Sequence, residues 1–188
     1  GYTCNDLFLQ ERLLEEAKLA LQTVVQATEG HDALVFVGLP IERDGRLYNV
    51  AAVLQDGEIL GFVPKSNIPT YAEFYEGRHF AKGNTEVTSY YWGEEEIPFG
   101  TDLLFTCTNM RGLTVGCEIC EDLWVMDPPS NELARNGALI IVNCSAGNEI
   151  IGKAEYRKNL AAVQSGKTVS GYVYCSAGEG ESTRSEER

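Results

Sequence analysis

The chain has 188 residues, is 44% hydrophobic and 23% charged, and carries a formal net charge of −13, a composition that fits a soluble globular domain with a real core. The acidic balance excludes nucleic acid and anionic membrane surfaces as partners, because no basic patch exists to neutralise phosphates. No apolar run approaches the roughly 20 residues of a membrane span, and no signal peptide is visible.

In chain order, apolar residues recur at Leu7, Leu14, Ala17, Leu21 and Val24-Val25 among charged positions, which predicts an amphipathic helix capped by Asn5 or Asp6 and closed by Gly30. Ala33 to Gly38 reads as a continuous apolar strand covered on both faces. Leu47 to Leu54 and Glu58 to Val63 flank Gln55-Asp56-Gly57 and form a hairpin. Pro64 and Pro69 then stop the sheet on either side of Lys65. The stretch from Thr70 to Gly100 is dense in aromatics and reads as a long loop that packs on itself or lines a site. Leu103–Thr108 and Leu113–Ile119 form a second hairpin. A short helix from Pro129 to Asn136 ends at Gly137, followed by a buried strand, Ala138 to Asn143. Ala154 to Thr168 is a helix, Tyr172 to Ser176 a last strand, and the segment after Gly178 a loose polar tail. Strands alternate partly with helices and partly with each other, so the fold class is mixed α/β.

Three strand ends carry reactive groups: Lys65, Cys120, and the segment from Ser145 to Lys153. If they lie on one sheet edge they share a pocket. Cys120, at the end of Leu113-Thr114-Val115 and its continuation, is the candidate nucleophile. A lysine near it lowers the thiol pKa and stabilises an oxyanion on an attacked carbonyl. From spacing alone, a core thiol and a surface lysine account for Cys120 and Lys65 equally well. Cys117 and Cys120 also form a C-x-x-C, but strand residues three apart face opposite ways. With no second C-x-x-C and with His31 and His79 isolated, no metal site is expected. Glu73, Glu76, Glu121 and Asp122 lie near the candidate elements, with a solvated acidic surface as the alternative reading, as for Glu94-Glu95-Glu96. The glycine-rich run from Gly178 to Ser182 lacks the context and the lysine of a phosphate loop. The six cysteines are expected reduced, with Cys107, Cys117, Cys144 and Cys175 acting as small buried hydrophobes in a cytoplasmic protein.

Gly61-Phe62-Val63-Pro64-Lys65-Ser66-Asn67-Ile68-Pro69-Thr70-Tyr71-Ala72-Glu73-Phe74-Tyr75-Glu76 resembles the lysine motif of the nitrilase superfamily, and more narrowly that of the glutaminase domains of glutamine-dependent NAD+ synthetases. Glu118-Ile119-Cys120-Glu121-Asp122-Leu123-Trp124, followed by Pro128-Pro129-Ser130, is similar to the same family's nucleophile motif. Ile151 to Arg157, and Tyr172-Val173-Tyr174 through Thr183, match further segments. The resemblance runs from Gly1 to about Thr183.

The resemblance implies an α-β-β-α sandwich with a Glu-Lys-Cys triad. Cys120 would attack the side-chain amide of glutamine through a thioester and Lys65 would stabilise the tetrahedral intermediate. Tyr71 and Glu121 would border the glutamine pocket, and Lys153 would sit where the family places a basic residue near the substrate carboxylate. Gly147 stands where many members have serine. The family's catalytic glutamate precedes the segment matching Gly1-Tyr2-Thr3, and no carboxylate of this chain matches it. The expectation is therefore a partial nitrilase-like domain over residues 1–183, a tail over 184–188, and a synthetase domain outside the chain. That domain would be the partner, would use ATP and Mg2+, and would take up the ammonia; no cofactor is implied for the glutaminase part, and a homo-oligomer is expected. The alternatives are a stand-alone carbon-nitrogen hydrolase on another amide, and a module without activity for want of the glutamate.

Overall fold

The computed structural model describes residues 3–178. Two compact bodies result, one spanning Asn5–Leu103 and the other built from Leu104 onward together with residues 3–4. Each is an α layer on a β layer, and each has its own sheet.

In the first body a 3-10 turn, Asn5–Leu9, leads into helix α1, Glu11–Ala27. The sheet contains β1 (Val35–Arg43), β2 (Arg46–Gln55), β3 (Glu58–Pro64), β4 (Thr88–Trp92) and β5 (Glu95–Phe99), in the order β1-β2-β3-β5-β4. Both tight turns of the β1-β2-β3 meander use an Asp-Gly pair in left-handed conformation. Asp44 and Gly45 have φ 51° and 69°, and Asp56 and Gly57 have φ 47° and 79°, the geometry whose twist matches the flanking strands. Leu21 of α1 joins Ile41, Val50, Ala52, Leu54, Phe62 and Phe99 in the core. The helix end is tied to the second turn by Gly57 N–H on Thr28 Oγ1 at 2.9 Å and by Gly30 N–H on Asp56 Oδ1 at 2.7 Å.

Four expectations need correction here. Helix α1 starts after Gln10 and ends at Thr28, so neither Asn5 nor Asp6 caps it and Gly30 lies beyond its end. Asp6 is engaged instead by Arg78 and His79. Strand β1 is not covered on both faces: it is an antiparallel edge strand with Gly38 exposed and Val35, Phe36 and Val37 half-buried. The stretch from Thr70 to Gly100 contains the β4-β5 hairpin, in which Tyr90 pairs with Ile97. Alternation marks it, since Tyr90, Ile97 and Phe99 are buried while Tyr91, Glu96 and Pro98 are exposed. Glu94, Glu95 and Glu96 are exposed, as read.

The second body has β6 (Leu104–Thr106), β7 (Thr114–Ile119), β8 (Ile140–Cys144) and β9 (Gly171–Cys175) in that spatial order. β6-β7 is the expected hairpin, and β7, β8 and β9 run parallel. Parallel neighbours need crossovers, supplied by α2 (Pro129–Arg135) and α3 (Lys153–Thr168). Leu133 of α2, Ala138 and Ile141 form the core. Gly116 lets α2 lie close, since a Cβ there would come within 3.0 Å of Leu133 Cδ1.

All six cysteines are free. Of the four cysteines expected to be buried only Cys117 is; Cys107 and Cys144 are half-buried, and Cys175 is exposed because it lies on the open face of β9, where exposure alternates along the strand. No helix among the described residues is long and apolar enough to cross a membrane. The glycine-rich run beyond Gly178 and the tail fall outside the described residues.

Candidate active site

Lys65 directly follows β3. Its backbone is fixed on both sides, by its N–H on the Asn49 carbonyl and by Gly83 N–H on its own carbonyl, each at 2.8 Å. Its side chain is only 1% exposed, so it is not a surface lysine. Its ammonium lies 2.8 Å from both carboxylate oxygens of Glu76. Glu76 opens a single 3-10 turn, and its N–H donates to the Pro69 carbonyl at 3.1 Å. A buried ammonium without a counter-charge is strongly unfavourable, and Glu76 removes that penalty while fixing the direction of Nζ. The solvated reading of Glu76 is thereby corrected. Tyr71 is 53% exposed, and its ring stands edge-on to the buried Phe74 with centroids 5.7 Å apart.

Cys120 ends β7 and begins the 3-10 turn Cys120–Trp124. Its φ is +48°, a conformation that costs a residue bearing a Cβ about 1–3 kcal/mol. Two side chains hold the corner: Asp122 accepts the Ile119 N–H at 2.9 Å, and Asn143 Oδ1 accepts the Cys120 N–H at 2.8 Å. A strained strand-to-helix corner that presents a side chain at the end of a sheet is a known setting for a nucleophile; here Cys120 is only 7% exposed. Asp122 is buried and does not form part of a solvated acidic surface.

Cys117 differs from Cys120 in both placement and partner. It is fully within the sheet, and a hydrogen bond with Cys144, followed by burial, pushes its thiol well above the ordinary range, while the same bond lowers Cys144. Cys117 is thus kept as a thiol, and its thiol partner is Cys144 rather than Cys120. Among the described residues no group of three or more His, Cys, Asp or Glu could hold a metal ion.

Glu121 is half-buried, next to Cys120. Gly147 is buried, and a Cβ there would lie 3.7 Å from Ser145 Oγ and 3.9 Å from the Tyr174 hydroxyl, so a small side chain fits. Lys153 opens α3, donates to Asn148 Oδ1, and places its ammonium 4.9 Å from the centroid of the Trp124 ring, a favourable contact between a cation and an aromatic face. Trp124 in turn stacks on Tyr156 at 5.6 Å. The second body therefore brings the start of α3 against the far end of the nucleophile turn. The shared sheet edge is corrected: Lys65 follows β3 of the five-stranded sheet, whereas Cys120 and the Ser145–Lys153 segment follow β7 and β8 of the four-stranded sheet. The hairpin connections of the first sheet and the crossovers of the second put these strand ends in different sheets. A groove of about 460 Å³ lined by Gly30, His31, Asp32, Gln55, Asp56, Glu58 and Leu60 contains none of the candidate catalytic or substrate residues.

Sequence reading missed Glu76 as the partner of Lys65, gave Trp124 no role beyond its place in the nucleophile motif, and missed Asn143 altogether. Asn143 had a signal, a lone amide inside an apolar strand, which must find a partner once buried.

A family model described as carbon-nitrogen hydrolase matches residues 1–175. The chain is 44% identical over 185 residues to a glutamine-dependent NAD(+) synthetase of Mycobacterium bovis, covering 97% of this chain and 27% of that protein. It superposes on the crystal structure of a glutamine-dependent NAD(+) synthetase from Cytophaga hutchinsonii with a TM-score of 0.81 and 29% identity, over 94% of this chain and 28% of that one. It also superposes on a carbon-nitrogen hydrolase from Helicobacter pylori with a TM-score of 0.65 at 22% identity, over 94% of this chain and 57% of that one, which speaks for the fold alone. The chain spans about a quarter of the length of the synthetases it matches.

Proposed function

The chain belongs to the carbon-nitrogen hydrolase family, whose fold is that of the nitrilase superfamily, and from that premise we propose that it is the glutaminase part of a glutamine-dependent NAD+ synthetase. The observation that carries this reading is Cys120 held at positive φ on the end of β7. The names of its relatives support the choice of glutamine.

In the proposed reaction the Cys120 sulfur attacks the side-chain carboxamide carbon of glutamine. The negative charge that develops on the oxygen is met by the Lys65 ammonium, whose direction is set by Glu76. The carbon–nitrogen bond breaks, the thiol proton ends on the departing nitrogen, and ammonia leaves. Water then cleaves the glutamyl thioester, releasing glutamate and restoring the thiol. Tyr71 and Glu121 border the glutamine, Gly147 lines it through its backbone, and Lys153 meets its carboxylate. The ammonia would serve ATP- and Mg2+-dependent amidation of nicotinic acid adenine dinucleotide in a synthetase domain of the same polypeptide. The domain assignment, 1–183 with a tail, belongs to this proposal, as do a homo-oligomeric assembly and a cytoplasmic location, for which six free thiols are suited.

The test is incubation with a diazo-ketone analogue of glutamine followed by peptide-mapped mass spectrometry. A single adduct on Cys120, blocked by excess glutamine, supports the reading. No adduct, or equal labelling of several cysteines, overturns it.

A further inference from the structure

Hydrogen bonds that converge on the Glu118 carboxylate tie the backbone of Cys120 to the first turn of α2. From the first turn of α2, Ser130 N–H donates to Glu118 Oε2 at 2.8 Å. The Tyr172 hydroxyl donates to Glu118 Oε1. Asn143 Nδ2 donates to the Tyr172 oxygen at 3.0 Å, which leaves Asn143 Oδ1 to accept the Cys120 N–H at 2.8 Å. Glu118 and Asn143 are register neighbours on β7 and β8, while Tyr172 is on β9. Beyond Ser130, Gln164 of α3 donates to Ser130 Oγ and to Asn131 Oδ1, both at 2.9 Å.

The donor directions leave no freedom. Cys120 N–H can only donate, so the amide oxygen of Asn143 must face it. The amide nitrogen must then face Tyr172, whose own hydrogen is used on Glu118. Flipping Asn143 would set two donors against each other at Cys120. An L residue stays at positive φ only when its surroundings over-determine it, and here that determination comes from side chains of three strands.

We propose that Asn143, and Tyr172 acting through it, are positioning residues that hold the Cys120 backbone in its left-handed conformation and so aim the thiol. Neither residue touches the reacting atoms. The inference rests on Cys120 being the nucleophile.

The test compares native alkylation by iodoacetamide in the intact protein, in Asn143→Leu and in Tyr172→Phe, reading Cys120 and the exposed Cys175 as separate peptides in one sample. In Asn143→Leu the ratio of Cys120 to Cys175 rate constants changes by about tenfold or more, because a thiol only 7% exposed changes its access when its backbone moves. In Tyr172→Phe, where the amide stays but loses its fixed orientation, the ratio changes by about threefold. With the diazo-ketone glutamine analogue, the maximal labelling rate falls in both variants while the analogue's half-saturating concentration stays within about twofold, a split that a loosened fold would not produce.

A ratio unchanged from wild type in either folded variant overturns the proposal. Should Asn143→Leu fail to melt cooperatively, Tyr172→Phe decides alone. If Tyr172→Phe also fails to fold, the network is structural and the proposal falls. Iodoacetamide needs no glutamine pocket, so this arm is read even if the analogue leaves wild type unlabelled and the glutaminase reading fails.

Discussion

Glu76 presents both carboxylate oxygens to the Lys65 ammonium at 2.8 Å, and both side chains are shut away from water. The pair joins the end of β3 to a single turn eleven residues on.

Removing one partner should therefore be far worse than removing both. Glu76→Leu leaves a buried ammonium uncompensated and is expected to cost about 3–5 kcal/mol of stability. The double replacement Lys65→Met with Glu76→Leu should recover most of that loss while remaining without glutaminase activity. Urea unfolding of the four species in a double-mutant cycle gives the coupling. Additive losses would show that the pair is not the compensating unit.

The corner at Cys120 stores strain that can be released. Because its φ is +48°, Cys120→Gly should be more stable than Cys120→Ala by about 1 kcal/mol, although glycine ordinarily costs stability. Both variants should lose all labelling by the glutamine analogue. Thermal melts of the two variants side by side provide the measurement.

Glu118 links stability to pH. Burial pushes its carboxyl above the usual range, with the Asp122 charge adding to this, while the hydrogen bonds from Tyr172 and Ser130 pull it down. A group raised in the fold contributes stability that is complete below its unfolded value, about 4.3, and is lost as pH rises through the folded one. Tyr172→Phe deletes one of the bonds that favour the ionised form and raises the carboxyl further. Its destabilisation should thus be larger at pH 8 than at pH 5, as read by urea unfolding at the two values. An equal loss at both would show that Glu118 does not titrate in this way.

The thiols should differ in reactivity in the native state. Cys175 is exposed and should be alkylated early, whereas Cys117, buried and pushed up by its hydrogen bond with Cys144 and then by burial, should react last. Timed alkylation with peptide mapping reads the order, and early modification of Cys117 would contradict the placement of its side chain.

Gly147 should accept serine. The Cβ finds only ordinary contacts, to Ser145 Oγ and the Tyr174 hydroxyl, so stability should change by no more than about 0.5 kcal/mol. A hydroxyl there should also lower the half-saturating concentration of the glutamine analogue by about threefold. A folded variant that binds the analogue as wild type does would place Gly147 outside the pocket.

Much of this protein was legible from the chain alone. Asp56-Gly57 specifies its hairpin because only a left-handed pair closes a two-residue turn. The run Ile140-Ile141-Val142 announces a buried strand, Pro129 and Gly137 bracket α2, and the segments around Lys65 and Cys120 carry the family resemblance. These are local signals, in which the residue and its neighbours contain the reason. What only the tertiary structure decided is of another kind. That Glu76 neutralises Lys65, that Cys117 pairs with Cys144, that β4 and β5 form a hairpin inside an aromatic stretch, and that Asn143 and Tyr172 converge on the backbone of Cys120 all depend on strand order and register. Burial turns a polar side chain from a solvated surface group into one that must find a specific partner, and which partner it finds is set by residues dozens of positions away.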